Sequence, residues 1–307
     1  MTLLLVGASG FLGPHLVRAA RRRGLRVAAA SRRPAAGPRA PGTVPDELHE
    51  LDAAVPDAAQ RLAALLEAVQ PSALLLAAAC ARVEECERDP ERAAALNVAL
   101  PAAAARLARA RGLRLVHLST DLVFGARPPR GARYAEDDPP SPVHAYGRSK
   151  AAGEAAVLAA DPPALVLRLP LLYGDSFGRG LGASDHVLAA LARGEQPALF
   201  TDEWRTPLEA GNAAEAVLEL LAGDARGLLH LAGPARLNRH ELALAVLAAR
   251  GRAGEAGRLG AVTRAARGLA AQRPADVSLD AGRALTLLSM PLLGPTEALR
   301  AARERSW

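Results

Sequence analysis

The chain has 307 residues, half of them hydrophobic, which is enough for one large α/β domain or two closely joined lobes around a sizeable core. A net charge of +6 and a pI near 10.2 would suit an anionic partner. However, aromatic residues make up only 3% and the arginines are scattered, so the stacking platforms and basic stripes of a nucleic-acid binder are missing. No run of 18 apolar residues is free of charge, which argues against a membrane span.

Thr2 to Val6 is a continuous apolar run of the kind a central parallel strand requires. It leads into Gly7-Ala8-Ser9-Gly10-Phe11-Leu12-Gly13 and then a predicted helix to about Arg23, stopped by Gly24. Glycines between a strand and a helix let backbone N–H groups approach a pyrophosphate where the helix dipole favours negative charge. Leu25 to Ala30 is a second strand, followed by Ser31-Arg32-Arg33 with no Asp or Glu. An acid at this point would bind the ribose hydroxyls of NAD, whereas arginine suits the 2′-phosphate of NADP, so the pattern favours NADPH over NADH. A Pro/Gly-rich loop runs from Pro34 to Pro45, Leu48 to Asp52 is a short strand, and Asp57 to Val69 is an amphipathic helix. Ala73 to Ala79 is a buried strand whose last residues, Ala77, Ala78 and Ala79, leave room for a ligand at the sheet's carboxyl edge.

A helix from about Pro90 to Arg111 carries Asn97, and Leu113 to Leu118 is the strand that delivers Ser119-Thr120-Asp121 to the same edge. After a loop rich in Pro, Gly and Asp (Gly125 to His144), a helix from Tyr146 to Ala160 and a strand from Leu165 to Leu169 follow. Lys150 is the only lysine among 38 basic residues, and it stands four after Tyr146. On a helix, residues i and i+4 share a face, so the ammonium can lie beside the phenol and lower its pKa from about 10. A phenol tuned in this way exchanges protons near neutral pH. The repeated β-α pattern calls for a Rossmann-type, doubly wound parallel sheet with helices on both faces. Residues 1–170 are expected to bind the dinucleotide and 171–307 to form mainly a smaller substrate-binding lobe, with one late strand, Gly227 to Leu231, returning to the sheet.

Cys80 and Cys86 form no CxxC, and the seven histidines show no metal-binding spacing, so reduced thiols and no metal are expected. The apolar N-terminus lacks a basic leader, and the expected location is cytoplasmic.

In their joint order, several segments carry a family resemblance: the glycine turn, Leu51-Asp52, Ala77-Ala78-Ala79, Val83-Glu84-Glu85-Cys86-Glu87, Leu96-Asn97, the stretch from Leu118 to Gly125, Tyr146-Gly147-Arg148-Ser149-Lys150, and Arg168 to Gly174. Trp204-Arg205-Thr206-Pro207 and the stretch from Arg273 to Asp280 extend it. Together they resemble the extended short-chain dehydrogenase/reductases and, within them, the dTDP-4-dehydrorhamnose reductase group of dTDP-rhamnose biosynthesis. The resemblance implies that Tyr146 protonates a carbonyl oxygen as hydride arrives from the nicotinamide. Lys150 would lower the Tyr pKa and hold the nicotinamide ribose, and Thr120 would hydrogen-bond the carbonyl. Asp52 would sit near the adenine, and Asp121 and Arg205 would face a sugar nucleotide. The resemblance also allows a homodimer.

Cys80-Ala81 stand where the reductases have Tyr-Thr, and Leu171 stands where they have a sugar-contacting Trp, so the likeness is closer in the cofactor half than in the sugar half. Two alternatives are another extended-family epimerase or dehydratase, and a cofactor-binding protein similar to the regulatory subunit of methionine adenosyltransferase. A dehydratase carries an acid after Thr-Asp, where this chain has Leu122.

Overall fold

A computed structural model describes residues 1–32, 40–125 and 133–304. Arg33, one of the two arginines expected beside the cofactor, lies outside the described residues. Seven parallel strands form the central sheet: β1 (Thr2–Val6), β2 (Arg26–Ser31), β3 (Glu47–Glu50), β4 (Ala73–Leu76), β5 (Arg114–Thr120), β6 (Leu165–Leu169) and β7 (Gly227–His230). Their order is β7-β6-β5-β4-β1-β2-β3, so the chain runs outward from β1 to one edge, then crosses back and fills the other. That reversal between β1 and β4 opens a crevice at the carboxyl ends of the strands.

Because alternate side chains point to opposite faces, each strand feeds two cores. Leu3, Leu5, Leu75, Val116 and Leu167 pack on one face with helices α1 (Gly13–Arg22) and, later in the chain, 210–222. Leu4, Val6, Leu74, Leu76 and Val166 pack on the other with α2 (Ala58–Val69), α3 (residues 90–111) and α4 (Ala145–Ala160). Within α3, Ala95–Ala99 is π-helical. Such an insertion bends a helix locally and is frequent at functional sites.

Two strand expectations run past the observed ladder, each for a local reason. The expected strand Leu48 to Asp52 is Glu47–Glu50, an edge strand paired only with β2, which leaves Leu48 40% exposed. The expected strand Ala73 to Ala79 stops at Leu76: the Ala77 amide makes a last bond to the Val6 carbonyl at 2.8 Å, and the backbone from Ala77 to Ala78 then passes over Gly7.

Beyond β6, helices α5 (Ala183–Ala192), α6 (Ala210–Ala222), α7 (Arg239–Ala249) and α8 (Pro295–Glu304) are interleaved with short strand pairs. Leu172–Tyr173 pairs with Leu208–Glu209, and Trp204–Arg205 pairs antiparallel with Leu237–Asn238. Val187, Leu191, Ala243 and Leu247 give this portion a core of its own. Part of the irregular loop before α4 is firmly packed: Tyr134 is 2% exposed, bridges to Leu279 and stacks on Phe124 at 3.9 Å. Among the described residues no helix is long and apolar enough to cross a membrane.

Candidate active site

The glycine turn after β1 is shaped by close approach of backbone to backbone. Gly7 has φ +100°, and a Cβ there would fall 2.4 Å from the Ala78 nitrogen. A Cβ on Gly13 would fall 2.0 Å from the Ala8 oxygen. Only glycine fits either position. Helix α1 then starts with Pro14 in its first turn and no side-chain cap, which leaves its N-terminal amides for an anionic group. The turn opens into a cavity of about 390 Å³.

That cavity gathers nearly every residue expected at the site. Gly7, Ser9, Gly10, Phe11, Leu12 and Gly13 line one wall; Ser31, Arg32 and Asp52 line the end near β2 and β3; Ala77, Ala78 and Ala79 line the floor; Thr120, Tyr146 and Lys150 line the far end. Arg32 is exposed at the rim and Ser31 is buried. Asp121 and Arg205 stand just outside the lining as a buried pair, 3.4 Å apart, with burial pushing the Asp121 carboxyl up and Arg205 pulling it down. Asp121 also accepts a hydrogen bond from the Thr120 hydroxyl at 3.1 Å. The cavity therefore offers backbone amides at the glycine turn and a phenol at its far end. Among the described residues no cluster of His, Cys, Asp or Glu is placed to hold a metal ion.

The Tyr146 and Lys150 geometry differs from the simplest expectation. Both are buried on α4, but Lys150 Nζ donates to the Leu118 carbonyl at 2.8 Å and meets His117 Nε2 at 3.1 Å. Burial holds the Lys150 ammonium down at about 8, opposed by Glu154. The Tyr146 phenol stands above its ordinary value: burial raises it, its hydrogen bond with Thr120 pulls it back, and the Asp121 charge raises it further. The lowered phenol pKa expected from the i, i+4 spacing is thus outweighed by desolvation in this geometry.

Four sets of contacts lie outside the sequence reading, although Asn97, the reduced thiols of Cys80 and Cys86, and Arg168 were already named there. Arg179, between β6 and α5, reaches back and donates to the carbonyls of Ser9 (2.9 Å), Gly10 (3.1 Å) and Phe11 (3.4 Å), pinning the glycine turn. Asn97, in the π-helical segment, binds both the N–H and the C=O of Cys80 at 2.9 and 3.0 Å and donates to Ser149 at 2.9 Å. Cys80 and Cys86 are buried free thiols with their sulfurs 3.4 Å apart. Glu154 accepts from Ser119 at 2.5 Å and grips Arg168 at 2.7 to 3.1 Å, deep in the core. One signal was present in the sequence: His117 interrupts the apolar run of β5, and Arg168 that of β6.

The sheet order, the glycine turn and the Thr120–Tyr146–Lys150 cleft together define an extended short-chain dehydrogenase/reductase. A family model, the RmlD substrate binding domain, matches residues 1–305, and the chain belongs to that family. A probable low-salt glycan biosynthesis reductase of Haloferax volcanii is 36% identical over 239 residues, 76% of this chain and 74% of that protein. A dTDP-4-dehydrorhamnose reductase of Mycobacterium tuberculosis is 33% identical over 250 residues, 80% of this chain and 74% of that one. The β subunit of rat methionine adenosyltransferase 2 is 32% identical over a shorter span of 190 residues, 59% of this chain and 55% of that protein. Among solved structures, a Bacillus anthracis dTDP-4-dehydrorhamnose reductase in complex with NADP has the same fold, with a TM-score of 0.82 over 99% of both chains at 19% identity.

Proposed function

We propose that this protein is an NADPH-dependent reductase of a nucleotide-activated 4-keto-6-deoxysugar. One observation carries the reading: a single cavity joins a helix N-terminus fit for a pyrophosphate to a buried Thr120, Tyr146 and Lys150. The cofactor supplies a hydride to the carbonyl carbon when bound. Residues 1–170 hold it, with the Gly7–Gly13 turn on the pyrophosphate, Ser31 and Arg32 toward the 2′-phosphate, and Asp52 near the adenine. Thr120 hydrogen-bonds the carbonyl oxygen and Tyr146 delivers the proton to it. The raised phenol pKa suits a proton donor that starts neutral. Lys150 supplies positive charge as the phenolate forms. Residues 171–307 form most of the sugar-nucleotide side, with Asp121 and Arg205 facing the substrate; a guanidinium fork is well matched to phosphate oxygens.

A regulatory, cofactor-binding role is the weaker reading. It has the shorter match to the methionine adenosyltransferase subunit in its favour, but a binding protein has no use for a buried proton donor at the end of the cleft. The deciding experiment follows NADPH oxidation at neutral pH with dTDP-4-keto-6-deoxysugars for the wild type, Tyr146→Phe and Lys150→Ala, with NADPH affinity measured alongside. Turnover that falls at least a thousandfold in Tyr146→Phe while NADPH still binds supports the reductase. Tight NADPH binding without turnover on any keto sugar overturns the substrate assignment.

A further inference from the structure

We propose that His117 is a positioning residue: its Nε2 lone pair, together with the Leu118 carbonyl, holds two of the three N–H bonds of the Lys150 ammonium and leaves the third for the cleft. This rests on the reductase reading for its catalytic meaning, but the contact itself can be tested without turnover.

The argument begins with where the imidazole sits. His117 is fully buried in the middle of β5, with apolar Leu76 and Val166 beside it in the ladder. An ammonium can only donate, so the 3.1 Å contact from Lys150 Nζ requires an unprotonated Nε2, and the ring proton must sit on Nδ1. Nδ1 has no hydrogen-bond partner among the described residues. A buried donor without a partner is costly, and an aliphatic residue in this strand would avoid that cost. What the imidazole adds at this position is an acceptor for Lys150.

The other groups around Lys150 do not replace it. On its own helix, Glu154 is occupied by Arg168 and Ser119, and Tyr146 is bound to Thr120. Asp121, beyond β5, pairs with Arg205, and Arg168 on β6 is held by Glu154. Burial, with the neighbouring ammonium, keeps His117 neutral, so its lone pair stays available as the pH falls. Because Lys150 is the only lysine, these contacts can be read from a single side chain.

The test uses full-length protein labelled with ¹³C,¹⁵N-lysine, which gives one side-chain signal whose pH titration reports the Lys150 midpoint. In the wild type the midpoint is expected near 8. In His117→Leu, loss of a hydrogen bond to a charged group should lower it by about one unit. The alkaline limb of kcat/KM should move down with it. His117→Gln, whose amide oxygen can reach in place of Nε2, should restore both. A Lys150 midpoint unchanged in His117→Leu, or a Gln variant indistinguishable from Leu, overturns the proposal. If His117→Leu does not fold, the wild-type histidine ¹⁵N spectrum decides, with the His117 signal assigned through His117→Gln. The Nδ1-protonated tautomer is required, and an Nε2-protonated or imidazolium form sinks it. Absence of turnover on every keto sugar would count against the reductase reading and leave the lysine titration standing.

Discussion

Gly147→Ala tests the placement of Tyr146 directly. Gly147 follows Tyr146 in the first turn of α4, and a Cβ there would lie 2.1 Å from the Leu122 oxygen and 2.8 Å from Pro142 Cβ. Its φ is not positive, so the conflict is one of space alone. Real Cβ contacts essentially never fall below 3.0 Å, so the start of α4 must move by roughly 1 Å, since Leu122 presents backbone and not a flexible tip. The same movement strains the cap in which Gly147 N donates to His144 Nδ1 at 3.0 Å. Overpacking of this kind costs about 1–3 kcal/mol, which for a chain of this length lowers Tm by roughly 2–6 °C. On the proposed mechanism, a 1 Å displacement of the Tyr146 phenol reduces kcat about 100-fold. The Gly7–Gly13 turn lies on other elements, so NADPH affinity should stay within about threefold of wild type. Scanning calorimetry, NADPH titration and steady-state kinetics with a keto sugar separate the three effects. A variant with wild-type kcat and an unchanged Tm would refute the idea that the Leu122 carbonyl fixes the phenol.

Glu154→Leu strands the Arg168 guanidinium in the core and should cost about 3–5 kcal/mol in urea unfolding, with much of it recovered in the Glu154→Leu/Arg168→Met double variant; a single variant within 1 kcal/mol of wild type would show the pair to be dispensable. Arg179→Ala removes the guanidinium that orders the glycine-turn carbonyls, so the Kd for NADPH should rise about tenfold, or about 1.4 kcal/mol, with kcat at saturation kept. Unchanged affinity by titration calorimetry would rule out that role. Acid stability follows from buried histidines: burial holds His15 down at about 4 and His230 at about 3. Below pH 6.5 the unfolded chain binds protons that the folded chain does not, so stability should fall with pH from 6.5 toward 3 by on the order of 3 kcal/mol per histidine. His230→Gln should flatten this limb in urea midpoints measured from pH 7 to 4, and an identical slope in the variant would remove His230 from the account.

Much of the architecture was legible because its signals are local. The apolar run of β1, the glycine turn and the alternation of strands with helices depend on residues within about 25 positions of one another, and the elements formed within a residue or two of where periodicity placed them. The boundaries that shifted did so where a neighbouring strand, and not the segment itself, set the end: β3 lies at an edge, and β4 yields to Gly7. The cavity lining was readable for the same reason, since residues at strand carboxyl ends converge once the sheet is parallel.

By itself the sequence determined a doubly wound sheet, a glycine-rich turn between its first strand and helix, and a tyrosine and a lysine on one helical face. Tertiary packing decided what those two side chains touch. The i, i+4 spacing brings Lys150 near Tyr146, but burial raises the phenol, and the ammonium turns to His117 and the Leu118 carbonyl on another element. Arg179 reaches the glycine turn across 170 positions, and Asn97 fixes Cys80 from a π-helical turn. No periodicity encodes such contacts. They depend on sheet order and on how deeply each group is desolvated, and both arise only when distant segments pack together.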